Sequence, residues 1–239
     1  MDFCNDVIYL IMIFMKPQIQ LYSGPLSMFG MKAHIAAVEK GIHVELILVP
    51  FNEQHGYHPK HPEVIRINPK EQVPVLLHGD LELFDSTQIF EYFEDLKPEP
   101  RLWPTDTKAR AKARLLELKI DEIYFPSVVK LMHLQDDLTQ TDAIIAINEC
   151  QAFYQLMEAK LENNTYLSGD FSYADIGFYM AQLFGERMGG LMTEKTPLLL
   201  GWRNRMNARS AVQTGVKSLV NYLNQVNRPI PDYLHFLNE

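Results

Sequence analysis

Cysteine is scarce in this chain. Only Cys4 and Cys150 occur in 239 residues, and they form no C-x-x-C spacing, which excludes a disulfide framework and argues against a structural zinc site. The scarcity fits a reducing, intracellular setting. Cys150 lies within an apolar-periodic helical stretch and reads as a buried structural thiol. Positive charge is also short: 22 Lys and Arg stand against 30 Asp and Glu, giving a net charge of -8 and a pI near 5.5. Nucleic acid and anionic membrane are therefore not expected as partners, since both call for a basic patch. The eight histidines are scattered, so no metal is expected.

Long apolar runs are missing too. The run VIYLIMIFM near the start has nine residues, too few to span a bilayer as a helix. Asp2 and Asp6 precede it and Lys-Pro-Gln follows it, which is not the pattern of a secretory signal. The first sixteen residues read either as an appended strand or helix or as an over-long start with Met15 as the natural first residue, and the second is preferred because regular patterning begins only at Gln18. With no signal and no span, a cytoplasmic protein is expected.

What is present is an ordinary globular composition, 47% hydrophobic, with two contrasting halves. Residues 18–22 (QIQLY) alternate like a strand. Met31, Ile35 and Val38 then recur at helical spacing through residues 28–40, and Gly41 stands where a helix commonly needs a left-handed residue. VELILV reads as a second strand. A connection rich in proline and histidine leads to a short helical segment, and VPVLLHGDLELFD reads as a hairpin turning at Gly79-Asp80. Asp85-Ser86 opens a helix to about Leu96, with Gln88 three residues after Asp85 in a capping-box arrangement.

The prolines of LKPEPRLWP end that helix and mark a linker. Strand signals nearly vanish beyond Asp106. One long helical pattern covers residues 106–134, with a bend expected at Pro126. Further helices are expected at about 139–162, 173–188, 197–208 and 210–225. Ser172 and Asp175 form a capping box, and the plain reading of Asp175 is a helix N-terminus beneath a core.

Three short segments of the first half carry candidate chemistry. Ser27 precedes a helix and reads first as its cap. Val73-Pro74 opens a strand, and Asp85-Ser86 is another cap. Taken together, LYSGPLSMFGMKAHIAAVEKG, INPKEQVPVLL and LFDSTQIFEYFEDL resemble the thioredoxin-like domain of the cytosolic glutathione transferases, of a bacterial type with serine at the thiol-activating position. YLSGDFSYADIGFY and PLLLGWRNRMNARSAV resemble the helical second domain of the same superfamily. The class within it is unassigned.

The resemblance implies an α/β thioredoxin-like domain over residues 17–97, with a mixed four-stranded sheet, followed by an all-helical domain over residues 106–228. It implies glutathione as co-substrate and Ser27 as the catalytic hydroxyl that stabilises its thiolate, aided by the positive end of the helix dipole. Gln72 would help hold the glycyl end, and the backbone of Val73, set by Pro74, would pair with the cysteinyl part. Asp85 would meet the γ-glutamyl ammonium and Ser86 the α-carboxylate. Tyr22 and Ser23 are competing hydroxyls. The loop from His55 to Lys60 is a further candidate whose members stay unassigned.

The activity so implied is transfer of glutathione to a small hydrophobic electrophile. Peroxide reduction or isomerisation on the same thiolate is an accessory expectation. The electrophile would sit between the domains, lined by the loop before Ser27 and the first long helix, where Tyr124 and Phe125 read equally as packing or as substrate contacts. The assembly would be a homodimer. The alternative is a non-catalytic protein-interaction module on the same scaffold, because fold does not fix function.

Overall fold

The computed structural model describes residues 18–238. The expectations for the first sixteen residues, Cys4 included, lie outside the described residues.

The first half is a four-stranded mixed sheet with helices on both faces. Its strands are β1 (Ile19–Ser23), β2 (Glu45–Leu48), β3 (Val75–His78) and β4 (Leu81–Phe84), and its helices are α1 (Met28–Glu39), α2 (Pro62–Ile67) and α3 (Ser86–Leu96). The sheet order is β2-β1-β3-β4, with β1 parallel to β2 and antiparallel to β3, and β3 antiparallel to β4. Strand alternation divides the core. Leu21 and Leu76 face Ala33, Ala37, Ile89 and Phe93 of α1 and α3, while Tyr22 and Val75 face Val64 and Ile67 of α2. The hairpin turns at Gly79-Asp80 as expected, with Gly79 at φ 65°. Gly41, at φ 60°, ends the turn after α1 in the left-handed region that glycine enters without penalty.

The second half is helical: α4 (Thr107–Lys119), α5 (Phe125–Leu134), α6 (Thr141–Leu161), α7 (Tyr173–Arg187), α8 (Pro197–Asn207) and α9 (Ser210–Gln225), then a 3₁₀ segment (Asp232–Asn238). The bend expected at Pro126 falls one turn earlier. Ile120–Tyr124 is a π-turn in which Phe125 N–H reaches the Ile120 carbonyl. Proline has no N–H to continue the ordinary ladder, and the i→i−5 register absorbs the defect just before it.

Residues 97–105 are a linker by lack of regular structure, yet they are packed tightly. Leu102 and Trp103 are buried, their backbone N–H groups donate to Glu94, and the Trp103 ring meets Phe90 and Tyr173 edge-on. Helix α7 is buried along almost its whole length. Asp175 has no exposure and accepts from Leu167 N–H, Ser172 N–H and the Trp202 indole, so it is a structural cap inside the core. Cys150 is fully buried, and burial pushes its thiol up to about 12. One core cluster runs from Met28, Met31 and Ile35 of α1 into α7 and α9, so the seam between the halves is apolar and continuous.

Candidate functional site

Strand register explains why three distant segments meet. Tyr22 pairs with Val75, and Val75 pairs with Phe84. The turn after β1, the residues before β3 and the residues after β4 therefore emerge at the same end of the sheet. That brings Ser27, Val73-Pro74 and Asp85-Ser86 to one edge of the domain.

Ser27 is buried and caps α1 in an extended conformation, its Oγ accepting from Gly30 N–H at 3.0 Å. The hydroxyl hydrogen has no acceptor among the described residues and remains free to donate. Gly30 is required for this closeness: a Cβ there would lie 2.0 Å from Ser23 Oγ and 3.0 Å from Ser27 Oγ. Of the two competing hydroxyls, Tyr22 packs with the α2-side cluster against His61, and burial raises its pKa. Ser23 is wedged against α1 at Gly30.

The Val73-Pro74 bond is cis, and Val73 is half-buried with no backbone hydrogen bond to another described residue. An unpaired N–H and C=O in that position is a strand edge awaiting a partner. Gln72 is exposed, and its carbonyl is tied to Asn68 Nδ2 at 2.6 Å. Asp85 holds φ 75°, outside the range a branched L residue favours, and its Oδ1 accepts from Thr87 and Gln88 N–H groups. Of the expected capping box only the Asp85 cap is present, with no hydrogen bond between the Gln88 side chain and Asp85 N–H. Ser86 is nearly fully buried, its carbonyl bonded by Tyr173 OH at 3.0 Å.

Two further charged groups lie near this edge, one of them in the candidate loop from His55 to Lys60 and the other not legible as a site residue. Lys60 Nζ donates to the Glu71 carbonyl at 2.9 Å, which puts a cation beside Gln72. Below Ser86 lies a buried charge cluster: Lys32, with no exposure, donates to Glu117 and, at 2.6 Å, to Asp121, and Thr87 Oγ1 donates to Glu117 at 2.7 Å. Burial opposes the Lys32 charge, but Tyr173, Asp121 and Glu117 outweigh it and hold its pKa above the ordinary value. Burial pushes Asp121 up to about 6 against the pull of Lys32, and its Oδ1 has no partner. The sequence signal was a lysine within an otherwise apolar helix face, MFGMKAHIA.

A cavity of about 920 Å³ opens on the other side of the Ser27 turn. Leu26 borders it, together with Phe51, Met132 and Gln135, the end of α7 and the chain after α9. Tyr57 seals the neighbouring loop, its OH accepting from Leu26 N–H at 3.1 Å and its ring lying where a Gly24 Cβ would be. Of the two readings open for Tyr124 and Phe125, packing is the one found, since neither is in this wall. Tyr124 is buried against Tyr154 in the helical core, and Phe125 packs edge-on to Phe29 at 5.3 Å. The long helix contributes its far end instead, because the π-turn rotates Tyr124 into the core.

Among the described residues, no group of three or more His, Cys, Asp or Glu side chains is arranged to hold a metal ion. No helix there is long and apolar enough to cross a membrane.

A thioredoxin-like sheet domain with a free strand edge, followed by a helical domain packed on its first helix, is the architecture of the cytosolic glutathione transferases. Comparison with known proteins agrees. The family model for the glutathione S-transferase N-terminal domain matches residues 17–95, and that for the C-terminal domain matches residues 126–210. Together they take in more than half the chain, and the protein belongs to the glutathione S-transferase family. It is 28% identical over 200 residues to glutathione S-transferase U13 of Arabidopsis thaliana, covering 78% of this chain and 85% of that one. It is 36% identical over 110 residues to a stringent starvation protein A homolog of Coxiella burnetii, a match spanning 45% of this chain and about half (49%) of that relative. A solved glutathione S-transferase from Rhodospirillum rubrum superposes with a TM-score of 0.76 at 22% identity, over 93% of this chain and all (100%) of the other, which shows a shared fold.

Proposed function

We propose that this protein is a glutathione transferase, with residues 17–97 as its glutathione-binding domain and residues 106–228 as its helical domain. The observation that carries the reading is the free backbone edge at Val73, at the same end of the sheet as the two capped N-termini of α1 and α3. The cysteinyl part of glutathione pairs with Val73, oriented by Pro74. Its γ-glutamyl α-carboxylate takes the Ser86 hydroxyl and the free N–H of that helix end, and Asp85 offers Oδ2 to the ammonium. Gln72 and Lys60 meet the glycyl end.

The thiol, ordinarily near pKa 8.5, is then held by the Ser27 hydroxyl and the positive end of α1. Ionisation sends the thiol proton to solvent. The thiolate forms a carbon–sulfur bond to an electrophilic carbon, and the leaving group departs with its bonding pair. The small hydrophobic electrophile enters from the cavity beside Leu26. Peroxide reduction or isomerisation would draw on the same thiolate as accessory activities. Leu115, Leu118 and Ile123, each at least 50% exposed, support a homodimer, which light scattering tests.

Calorimetric titration with glutathione tests the core of this reading. Wild type is expected to bind at micromolar to millimolar strength, and Ser86→Ala to bind about 10-fold more weakly, as loss of a hydrogen bond to a charged group implies. Thiolate absorbance followed against pH should move to higher pH in Ser27→Ala. Absence of binding would overturn the proposal. A second reading, a non-catalytic interaction module, draws support from the half-length match to a relative whose name mentions no transferase. It gains the field if glutathione binds normally but no conjugate forms with activated aryl halides.

A further inference from the structure

Residues 49–61 join β2 to α2 and close on themselves. Asn52 and Gly56 exchange backbone hydrogen bonds of 2.9 and 2.8 Å, and Asn52 Oδ1 accepts from Gln54 and His55 N–H. From this loop the half-buried Tyr57 reaches the turn that carries Ser27. That turn is Gly24–Pro25–Leu26–Ser27, closed by Ser27 N–H on the Gly24 carbonyl at 3.1 Å. The closing bond uses the N–H of the fourth residue and leaves that of the third, Leu26, without a partner inside the turn. Tyr57 OH accepts it at 3.1 Å.

Two observations show that the contact is built into the fold. A Cβ at Gly24 would overlap the Tyr57 hydroxyl and ring, so the turn opens on the one residue type that admits the phenol. Phe51 meets the Tyr57 ring edge-on at 4.8 Å, and Tyr222 of α9 backs Phe51 at 5.6 Å, so the phenol is braced from the helical half. Burial raises the Tyr57 pKa, which keeps the hydroxyl neutral wherever a thiolate would form. Holding the Leu26 amide fixes the peptide plane of the turn. It thereby fixes the extended backbone of Ser27 (φ −103°, ψ 101°), from which Oγ reaches Gly30 N–H.

We infer that Tyr57 is a positioning residue for the thiolate: by holding the Leu26 amide it sets the turn so that the Ser27 hydroxyl meets the glutathione sulfur. This rests on the reading of Ser27 as the group that holds the thiol. The same loop ends beside the Val73 edge, where Lys60 Nζ donates to the Glu71 carbonyl at 2.9 Å. One short segment thus braces both ends of the proposed glutathione contact. A phenol that served packing alone would affect stability, but not the proton equilibrium of a bound thiol.

Thiolate absorbance of bound glutathione, followed against pH, tests this in wild type, Ser27→Ala, Tyr57→Phe and the double variant. Phenylalanine keeps the ring and removes only the acceptor. Losing a whole hydrogen bond to the thiolate implies a rise of about 1–2 pKa units in Ser27→Ala. Tyr57→Phe should give part of that rise, about 0.5–1 unit. Its glutathione affinity at about pH 6, where the thiol is still mostly protonated, should change by less than about 3-fold. The double variant should match Ser27→Ala, since a residue acting through Ser27 then has nothing left to act on. Gly24→Ala displaces the phenol from the other side and should reproduce the Tyr57→Phe shift, and it decides the matter if Tyr57→Phe fails to melt cooperatively. An unmoved thiol pKa in Tyr57→Phe overturns the inference, as does a double variant shifted beyond Ser27→Ala. Wild type that binds no glutathione sinks the transferase reading and this inference with it, whereas normal binding with an unmoved pKa sinks the inference alone.

Discussion

Around Ser27 the polar groups come from the ends of neighbouring strands and the caps of two helices, within sixty residues of sequence. Around Arg187 they come from the turn after β1, the far end of α5, the end of α7 and the chain beyond α9. The first region is assembled by sheet register and short-range capping. The second is assembled by tertiary packing of helix ends. A site of the first kind is specified locally and is stiff. A site of the second kind can change its lining without disturbing the fold, because helix termini and tails tolerate substitution better than strand pairs do.

The strongest way to break the comparison is to unbalance the stiff side. Lys32→Met would leave Glu117 and Asp121 buried without their cation, and breaking a buried pair in this way costs about 3–5 kcal/mol. Denaturant unfolding should show that loss, and glutathione affinity should fall because Thr87, next to Ser86, hangs on the same cluster. Adding Glu117→Gln and Asp121→Asn should recover part of the stability. If Lys32→Met is as stable as wild type, the cluster is not what holds this edge.

A pH series sharpens the same point. The Asp121 carboxyl is pushed up to about 6 by burial in the folded protein, against about 3.9 when unfolded. Below both values the group is protonated in either state and the contribution is intact. As pH rises from about 4 to 6 the unfolded chain releases the proton first, so wild-type stability falls across that window. Asp175, pushed up to about 6 by burial, acts in the same direction, so the measured quantity is the gap between wild type and Asp121→Asn. That gap should move in favour of the variant between pH 4 and 6, and a gap independent of pH would refute the assignment.

Gly215→Ala tests whether the two regions share a foundation. A Cβ there would lie 2.2 Å from Ile35 Cγ1, where α9 crosses α1 between the halves. Overpacking of this kind costs about 1–3 kcal/mol. Glutathione affinity should fall and amide exchange around the cavity should quicken together, whereas a change confined to one region would mean that the two are supported separately.

Legibility in the sequence follows the same division. Strand alternation, Gly41 and Gly79, and the two caps at Ser27 and Asp85 are local signals, and the sheet and the first three helices could be read from them, whereas the meeting of their ends was implied only by the family resemblance. Asp175 was legible as a cap for the same reason. The bend expected at Pro126 was displaced because proline marks where the ladder must break but not on which side the slack is taken up. Tyr124 and Phe125 stayed open between packing and substrate contact because a helical pattern does not say which neighbours a side chain meets. Lys32 is invisible as a buried charge because its partners lie 85 and 89 residues away. Arg187 gave no signal as part of the cavity wall, since a lysine or arginine in the last turn of a helix is ordinary.

The smallest expected effect lies at the mouth of the cavity. Glu53 and Arg228 are exposed and bridge the loop after β2 to the chain after α9. The hydrogen bond from Arg228 lowers the Glu53 pKa, but solvent screening leaves such pairs little weight in global stability. Glu53→Gln should therefore leave the unfolding midpoint unchanged within error. Its effect should be local: amide hydrogen exchange in residues 228–233 should quicken, because local opening there no longer breaks an ion pair. If the midpoint drops instead, the tail is an integral part of the fold, and the cavity is as stiff as the glutathione edge. If exchange quickens alone, the cavity wall can open without unfolding the protein.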